Sequence, residues 1–236
     1  MHGVILLAAG SGKRMGSEIA DKVLEKIGGS TPFQMSIRAF ANSKEISKFM
    51  IVFRDFKQKK KLHKEVDSIS ELLSGREVIF CQGGNRRCDS VWNGLMSLPN
   101  SCEFAHIHDC ARPLIRPSTI QSLVTAVEEM KPVALARPVT NTIRKDLSGF
   151  NNNDQIRETE TLCREELWEM ETPQSSPKSW LVEGYQKAKN LNIEITDDMH
   201  ALELVSKKIL LMDPGYPNPK ITHKQDLSII QLLSEL

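Results

Sequence analysis

The 236-residue chain predicts an α/β fold, a Rossmann-like, mostly parallel sheet covered by helices with a protruding β-arm. Three observations predict it. Short apolar or β-branched runs alternate with stretches of helical spacing, the β-α-β-α order that builds a parallel sheet. The opening run, Gly3-Val-Ile-Leu-Leu-Ala8, stops at small residues and enters a glycine-punctuated loop. Residues 138–163 then break the alternation and are too polar to be core. The length fits one large α/β domain, 1–236, with 138–163 as an embellishment.

Taken in order, residues 3–8 are the first strand. Phe33, Ile37 and Phe40 carry a helical period over 32–40. Lys48-Phe-Met-Ile-Val-Phe53 is the second strand, and 56–74 is polar and periodic. Its cations, Lys57, Lys59, Lys60, Lys61 and Lys64, are most simply a solvated helix face. Val78-Ile-Phe80 is the third strand and 86–97 a helix after Gly83-Gly84. Phe104–Asp109 is a strand, Ile120–Met130 an amphipathic helix, and Val133–Ala136 another strand. Within 138–163, Thr142-Ile-Arg-Lys145 and Gln155-Ile-Arg-Glu-Thr159 flank a Ser148-Gly149 turn, the pattern of a hairpin arm. A late strand spans 208–212 and a helix 224–236. Trp92, Trp168 and Trp180 sit in helical patterns and read as core or dimer packing.

A net charge of +1 supplies no large field to gather nucleic acid or a membrane surface. The apolar stretch near the start is too short to span a bilayer. Five cysteines, an odd number without a C-x-x-C pair, read as free thiols in a reducing cytoplasm.

The opening loop carries the strongest chemical signal. Gly10 and Gly12 let backbone N–H groups approach an anion, and Lys13, Arg14 and Lys22 sit where charge would gather. Met15 stands where a P-loop or a dinucleotide fingerprint needs a glycine or small residue. What remains, L-x-A-A-G-x-G-x-R-M-G followed by a lysine, resembles the signature loop of nucleotidyltransferases.

Four further segments join it: Gly83-Gly-Asn-Arg-Arg-Cys-Asp-Ser-Val91 entering a helix, His108-Asp-Cys-Ala-Arg-Pro113 leaving a strand, Cys163-Arg-Glu-Glu-Leu-Trp168 with Thr172-Pro-Gln174, and Thr196-Asp-Asp198 with Asn218-Pro-Lys220. Ligands of open α/β sheets bind beyond the carboxyl ends of strands, which suits Asp109 to a ribose hydroxyl or a magnesium ion. His106 and His108 share one side of their strand; packing or a hydrogen bond beside the site is the simpler reading than a His-x-His-Asp metal centre. Asp197-Asp198 reads equally as a metal pair or as a helix cap after Thr196. Arg86-Arg87 reads as plain solvated helix surface, although Arg87 matches a position of the family named next.

Together these motifs, in this order and nearly end to end, resemble the 2-C-methyl-D-erythritol 4-phosphate cytidylyltransferase family of the non-mevalonate isoprenoid pathway. The resemblance implies transfer of CMP from CTP to a sugar-alcohol phosphate, with Mg²⁺ bound mainly through the CTP phosphates. It implies a cytosine pocket of Ala8, Ala9, Gly10, Gly84, Asn85 and Ser90, with Gly12 in the nucleotide loop. Asp109 and Cys110 would lie by the ribose and the metal, Asp109 being the candidate ligand. Arg14 and Lys22 would bind the triphosphate and act catalytically. Arg164, Thr172, Thr196 and Lys220 would hold the substrate phosphate. Arg112 and Thr142 would help complete the neighbouring subunit's site, with the 138–163 arm interlocked in a homodimer.

Four departures from the family's pattern stand out. Asn85 replaces an aspartate, Cys110 an alanine and Asp21 a proline, and no acidic residue closely precedes Lys220. Asp21 is expected either to pair with Lys22 or to point to solvent. Rival readings are a ribitol-5-phosphate cytidylyltransferase, a sugar-1-phosphate uridylyl- or guanylyltransferase, and a non-catalytic nucleotide-binding regulatory module.

Overall fold

In a computed structural model of the chain, residues 1–10, 21–148 and 157–235 are described. In chain order the elements are β1 (His2–Leu7), α1 (Pro32–Ala41), β2 (Ile46–Phe53), α2 (Phe56–Asp67), β3 (Glu77–Gln82), α3 (Arg87–Ser97), β4 (Phe104–Asp109), α4 (Pro117–Glu128), β5 (Val133–Pro138), β6 (Arg144–Asp146), β7 (Thr159–Thr161), β8 (Trp168–Pro177), α5 (Lys178–Leu191), α6 (Asp198–Leu204), β9 (Leu210–Met212) and α7 (Gln225–Ser234).

Local chemistry starts the helices where they start. Thr31 accepts from the Gln34 N–H and Gln34 bonds back to Thr31, a capping box ahead of Pro32 in the first turn of α1. Asp55 caps α2 through the Gln58 N–H, and Asp197 caps α6 through the His200 N–H. The helix expected from Ile120 begins at Pro117, whose fixed φ suits a first turn. The periodic stretch 56–74 is not one helix: α2 stops at Asp67 and a 3₁₀ turn, Ser70–Leu73, follows.

Seven strands form one sheet in the order β3-β2-β1-β4-β8-β5-β9. The neighbouring pairs among β3, β2, β1 and β4 are parallel, as is β5 with β9. Strand β8 alone runs against its neighbours β4 and β5. Side chains alternate between the faces, as a pleated strand requires. Val4 and Leu6 of β1 join Phe49 and Ile51 of β2 in a core beneath α1, α2 and α4. Ile5 joins Met50 and Val52 in a second core beneath α3, α5 and α6. Gly94 lets α3 settle on β1, since a Cβ there would meet Ile5 Cγ2 at 2.7 Å.

Strand β8 corrects the sequence reading. Trp168 begins a strand, not a helical stretch. With Glu169, Glu171, Pro173 and Pro177 the segment has neither strand composition nor alternation, yet Glu171–Pro177 are buried. Burial on both edges imposes the strand, as tertiary context often does. Its register against β5 shifts between Ala134 and Ala136, opposite the stretch where Pro173 has no N–H to donate. In the arm, β6 and β7 pair antiparallel and are largely exposed, while the expected Ser148-Gly149 turn between them lies in part outside the described residues.

Candidate active site

A cleft of about 750 Å³ opens where β1 and β4 end. Leu7, Ala9 and Gly10 come from β1 and its exit, Asp109 and Ala111 from the end of β4. Gly84, Asn85, Arg87 and Ser90 come from the β3–α3 turn; Lys22, Arg54, Lys220 and Thr222 add the remaining polar wall. The expectation that ligands gather beyond parallel strand ends matches this placement.

Asp109 sits at the centre. Its Oδ1 accepts Arg87 Nε at 3.1 Å and its Oδ2 accepts Lys220 Nζ at 2.5 Å. Burial alone would raise its carboxyl, but Arg87, Lys220 and Arg112 outweigh burial and hold it well below the usual carboxylate range. Arg87 is gripped from behind. Its two Nη atoms donate to Asp198 at 3.1 and 2.8 Å, and Asp198, fully buried, also accepts the Tyr185 hydroxyl at 2.6 Å. The Asp198 N–H donates to Gln174 Oε1 at 2.8 Å. The Asp197-Asp198 pair therefore divides: Asp197 caps a helix, and Asp198 anchors an arginine rather than a metal. Arg86, by contrast, is exposed and pairs with Asp89.

The residues expected at the base are held largely through their backbone. Ser90 Oγ accepts the Gly84 N–H at 3.1 Å and donates to the Arg86 carbonyl at 3.2 Å, tightening the turn. A Cβ on Gly83 would lie 2.7 Å from Ser90 Oγ, and one on Gly84 2.3 Å from Asp89 Cβ, so both glycines are steric requirements. Ala8 is buried and its carbonyl accepts Gln58 Nε2 at 2.9 Å. Asn85 is exposed at the cleft. Cys110 departs from expectation: it is fully buried in the core beneath α1, where burial pushes its thiol well up, so its side chain does not face the cleft.

The cations are engaged by the protein. Lys22 Nζ donates to the Ile221 carbonyl at 2.6 Å. Lys220, expected at the substrate phosphate, lies on Asp109 at the end of β4. The segment carrying Lys220 is tightly pinned: Asn218 Oδ1 accepts the Leu114 N–H, Ile221 N–H donates to the Ala111 carbonyl, and Tyr216 OH accepts the Arg116 N–H. Asp21 does neither of the two things expected of it. It is buried, and its Oδ2 accepts Gln58 Nε2 at 2.6 Å and Arg54 Nη2 at 3.4 Å.

Other site residues fall elsewhere. Arg112 turns inward to the Asn218 and Met170 carbonyls and to Glu171, bracing its own chain. Thr172 is buried and orients Asp109: its hydroxyl accepts the Asp109 N–H at 3.1 Å and meets His108 Nδ1 at 3.2 Å. His108 thus hydrogen-bonds beside the site, and burial lowers its pKa to about 4. Thr196 is exposed and bonds to His200. Thr142 and Arg164 are exposed at the foot of the arm, with Arg164 donating to the Thr140 carbonyl at 3.0 Å; neither lines the cleft of its own chain. Gly12 and Arg14 lie outside the described residues.

Sequence reasoning overlooked Arg54, Gln58, Tyr185 and the anchoring role of Asp198. Only the pairing of a buried carboxylate with a distant cation reveals them, and nothing in local sequence encodes such a pair.

Comparison with known proteins identifies the family. The family model for 2-C-methyl-D-erythritol 4-phosphate cytidylyltransferase matches residues 2–235. A protein of that name from Prochlorococcus marinus (strain MIT 9515) is 34% identical over 232 residues, covering 98% of this chain and 98% of its own. One from Clostridioides difficile (strain 630) is 29% identical over 231 residues, covering 98% of this chain and 92% of its own. Among solved structures, the 4-diphosphocytidyl-2C-methyl-D-erythritol synthase of Anaerococcus prevotii shares the fold with a TM-score of 0.82 at 21% identity, covering 100% of this chain and 96% of that one. With the motifs, the sheet order and the cleft in agreement, the chain belongs to the 2-C-methyl-D-erythritol 4-phosphate cytidylyltransferase family.

Proposed function

We propose that this nucleotidyltransferase transfers CMP from CTP to 2-C-methyl-D-erythritol 4-phosphate, releasing pyrophosphate. The observation that carries the proposal is the convergence of Lys22, Lys220 and Arg87 with Asp109 at the strand ends. Among the described residues lining the cleft there is no Ser–His or Cys–His pair to activate a nucleophile. None is required. A phosphate monoester has a second pKa of about 6 and is largely dianionic at neutral pH. Its oxygen attacks the α-phosphorus, the α–β bridging P–O bond breaks, and the electron pair leaves with pyrophosphate. The barrier is repulsion between anions and charge on the leaving group, which fixed cations lower by positioning and electrostatic stabilisation.

In this scheme the β3–α3 turn and Ala9-Gly10 hold the base, Asp109 holds a ribose hydroxyl, and Lys22 with Arg14 stabilises the triphosphate. Lys220 exchanges its partner when substrate enters, releasing one Asp109 oxygen. Asp109 is the carboxylate of the cleft wall, and the described residues hold no cluster of three metal-ligating side chains. That donor set fits a hard divalent cation carried mainly by substrate phosphates, as Mg²⁺ commonly is. The ion would supply charge neutralisation, with Asp109 as its protein ligand. The exposed arm of β6 and β7 supports a homodimer in which Thr142 helps complete the partner's cleft. Five unpaired thiols support a cytoplasmic location, and among the described residues no helix is long and apolar enough to cross a membrane.

The test crosses CTP, UTP, ATP and GTP with methylerythritol 4-phosphate and ribitol 5-phosphate under Mg²⁺ and follows pyrophosphate. Release confined to CTP with methylerythritol 4-phosphate is expected. Release confined to ribitol 5-phosphate would move the protein to another pathway, and no release by protein that still binds CTP would favour a regulatory module.

A further inference from the structure

Asp21 is an unexpected neighbour for a lysine that meets a triphosphate. A carboxylate one residue before Lys22 would repel the ligand that Lys22 attracts. The structure removes that conflict with two side chains from the end of β2 and the start of α2. Gln58 Nε2 donates to Asp21 Oδ2 at 2.6 Å and to the Ala8 carbonyl at 2.9 Å. Arg54 Nη2 reaches Asp21 Oδ2 at 3.4 Å while its Nη1 reaches the Gly10 carbonyl at 3.3 Å. Gln58 Oε1 accepts the Arg54 N–H at 2.6 Å, closing the network. Arg54 lines the cleft, whereas Asp21 is 95% removed from solvent behind it. The remaining carboxylate on Arg54, Asp55, accepts its Nε at 2.8 Å and faces solvent as the cap of α2. The charged wall that a nucleotide meets at this corner is therefore a guanidinium, not a carboxylate.

Resting on the nucleotide reading of the cleft, we propose that Arg54 is a positioning residue that cancels the charge of Asp21 beside Lys22 and holds the Gly10 carbonyl at the base pocket. Where the family pattern has proline before the lysine, this chain holds the same place with a side-chain network. Asp21 and Arg54 form one functional pair: Asp21 without Arg54 is worse than neither, whereas Arg54 without Asp21 is not.

The experiment measures the CTP dissociation constant by calorimetry, with Mg²⁺ and without second substrate, for four proteins. Arg54→Ala exposes an uncompensated carboxylate and weakens CTP about tenfold, the effect of one unit charge in a partly solvated cleft. That loss shrinks at high salt. Asp21→Asn leaves CTP binding unchanged or tighter, because Arg54 is then unopposed. The double variant returns to within about threefold of the unaltered protein. A double variant as weak as Arg54→Ala, or an Asp21→Asn variant weakened to the same degree, overturns the proposal by showing an ordinary structural role. Should Arg54→Ala fail to fold, Arg54→Lys carries the test: near-unaltered affinity supports charge cancellation, and a tenfold loss overturns it. Turnover of the unaltered enzyme reads separately on the assigned reaction. An unaltered protein that does not bind CTP overturns the nucleotide reading, and this proposal with it.

Discussion

Lys22 is half of a contact that no local pattern contains. Its ammonium donates to the Ile221 carbonyl, 199 positions away in the chain. In the proposed mechanism, replacing it with alanine removes a preorganised cation from the developing charge, which typically costs about 10²–10³ in kcat. The expected outcome is such a loss of pyrophosphate release by a folded protein whose thermal midpoint falls by only a few degrees, since the buried Ile221 carbonyl loses its partner; turnover within threefold of the unaltered enzyme would take Lys22 out of the mechanism. Of the individual residues, Lys22, Gly84, Asn85, Ser90 and Asp109 are legible in the sequence as neighbours in one cleft, because each lies in or just after a motif at a strand end or helix start. Cys110 was not placed correctly, since alternation along the chain sends its thiol into the core one residue after Asp109. Arg112 lies in the same motif as Asp109, and within its own chain its guanidinium turns onto the Asn218 and Met170 carbonyls, contacts that the motif does not encode.

Arg87 ties three elements together. It is the first residue of α3, it reaches Asp109 at the end of β4, and it forks onto Asp198 in the first turn of α6. Arg87→Ala strands a fully buried carboxylate with Tyr185 as its nearest hydroxyl partner, and removing one partner of such a pair costs about 3 kcal/mol. The denaturant midpoint should fall with an unchanged slope. A loss below about 1 kcal/mol would mean that solvent, not Arg87, satisfies Asp198. Close packing explains why α5 and α6 stand ready for this: a Cβ on Gly184 would lie 2.2 Å from the Ala201 carbonyl, so the two helices touch through backbone. The parallel strands were readable from their continuous apolar runs. Strand β8 was not, because its position between β4 and β5 rather than its composition makes it a strand.

For the whole molecule, the sheet interior holds neutral histidines. His106 bonds to Ser175 Oγ at 2.8 Å and to His2 at 3.1 Å, and burial lowers its pKa to about 3. His108, lowered to about 4 by burial, is its neighbour along β4. Both folded values lie below the unfolded value of 6.5, so the unfolded chain binds more protons once the pH drops beneath 6.5. Stability is therefore full above pH 6.5 and declines through pH 4, by up to about 1.4 kcal/mol per pH unit for each histidine. A melting temperature that is flat from pH 7 to pH 5 would contradict these two burials.

The sequence by itself determined the class of the fold, the order of most of its elements, the two paired strands of the arm and the end of the sheet where the cleft opens. These follow from periodicity, glycine placement and helix starts, all set by residues within a few positions of one another. The tertiary structure alone decided where charges meet. Asp109 with Lys220, Arg87 with Asp198 and Asp21 with Arg54 are pairs 111, 111 and 33 residues apart. A long side chain is committed by whichever buried opposite charge the folded backbone brings within reach, and that distance exists only after folding.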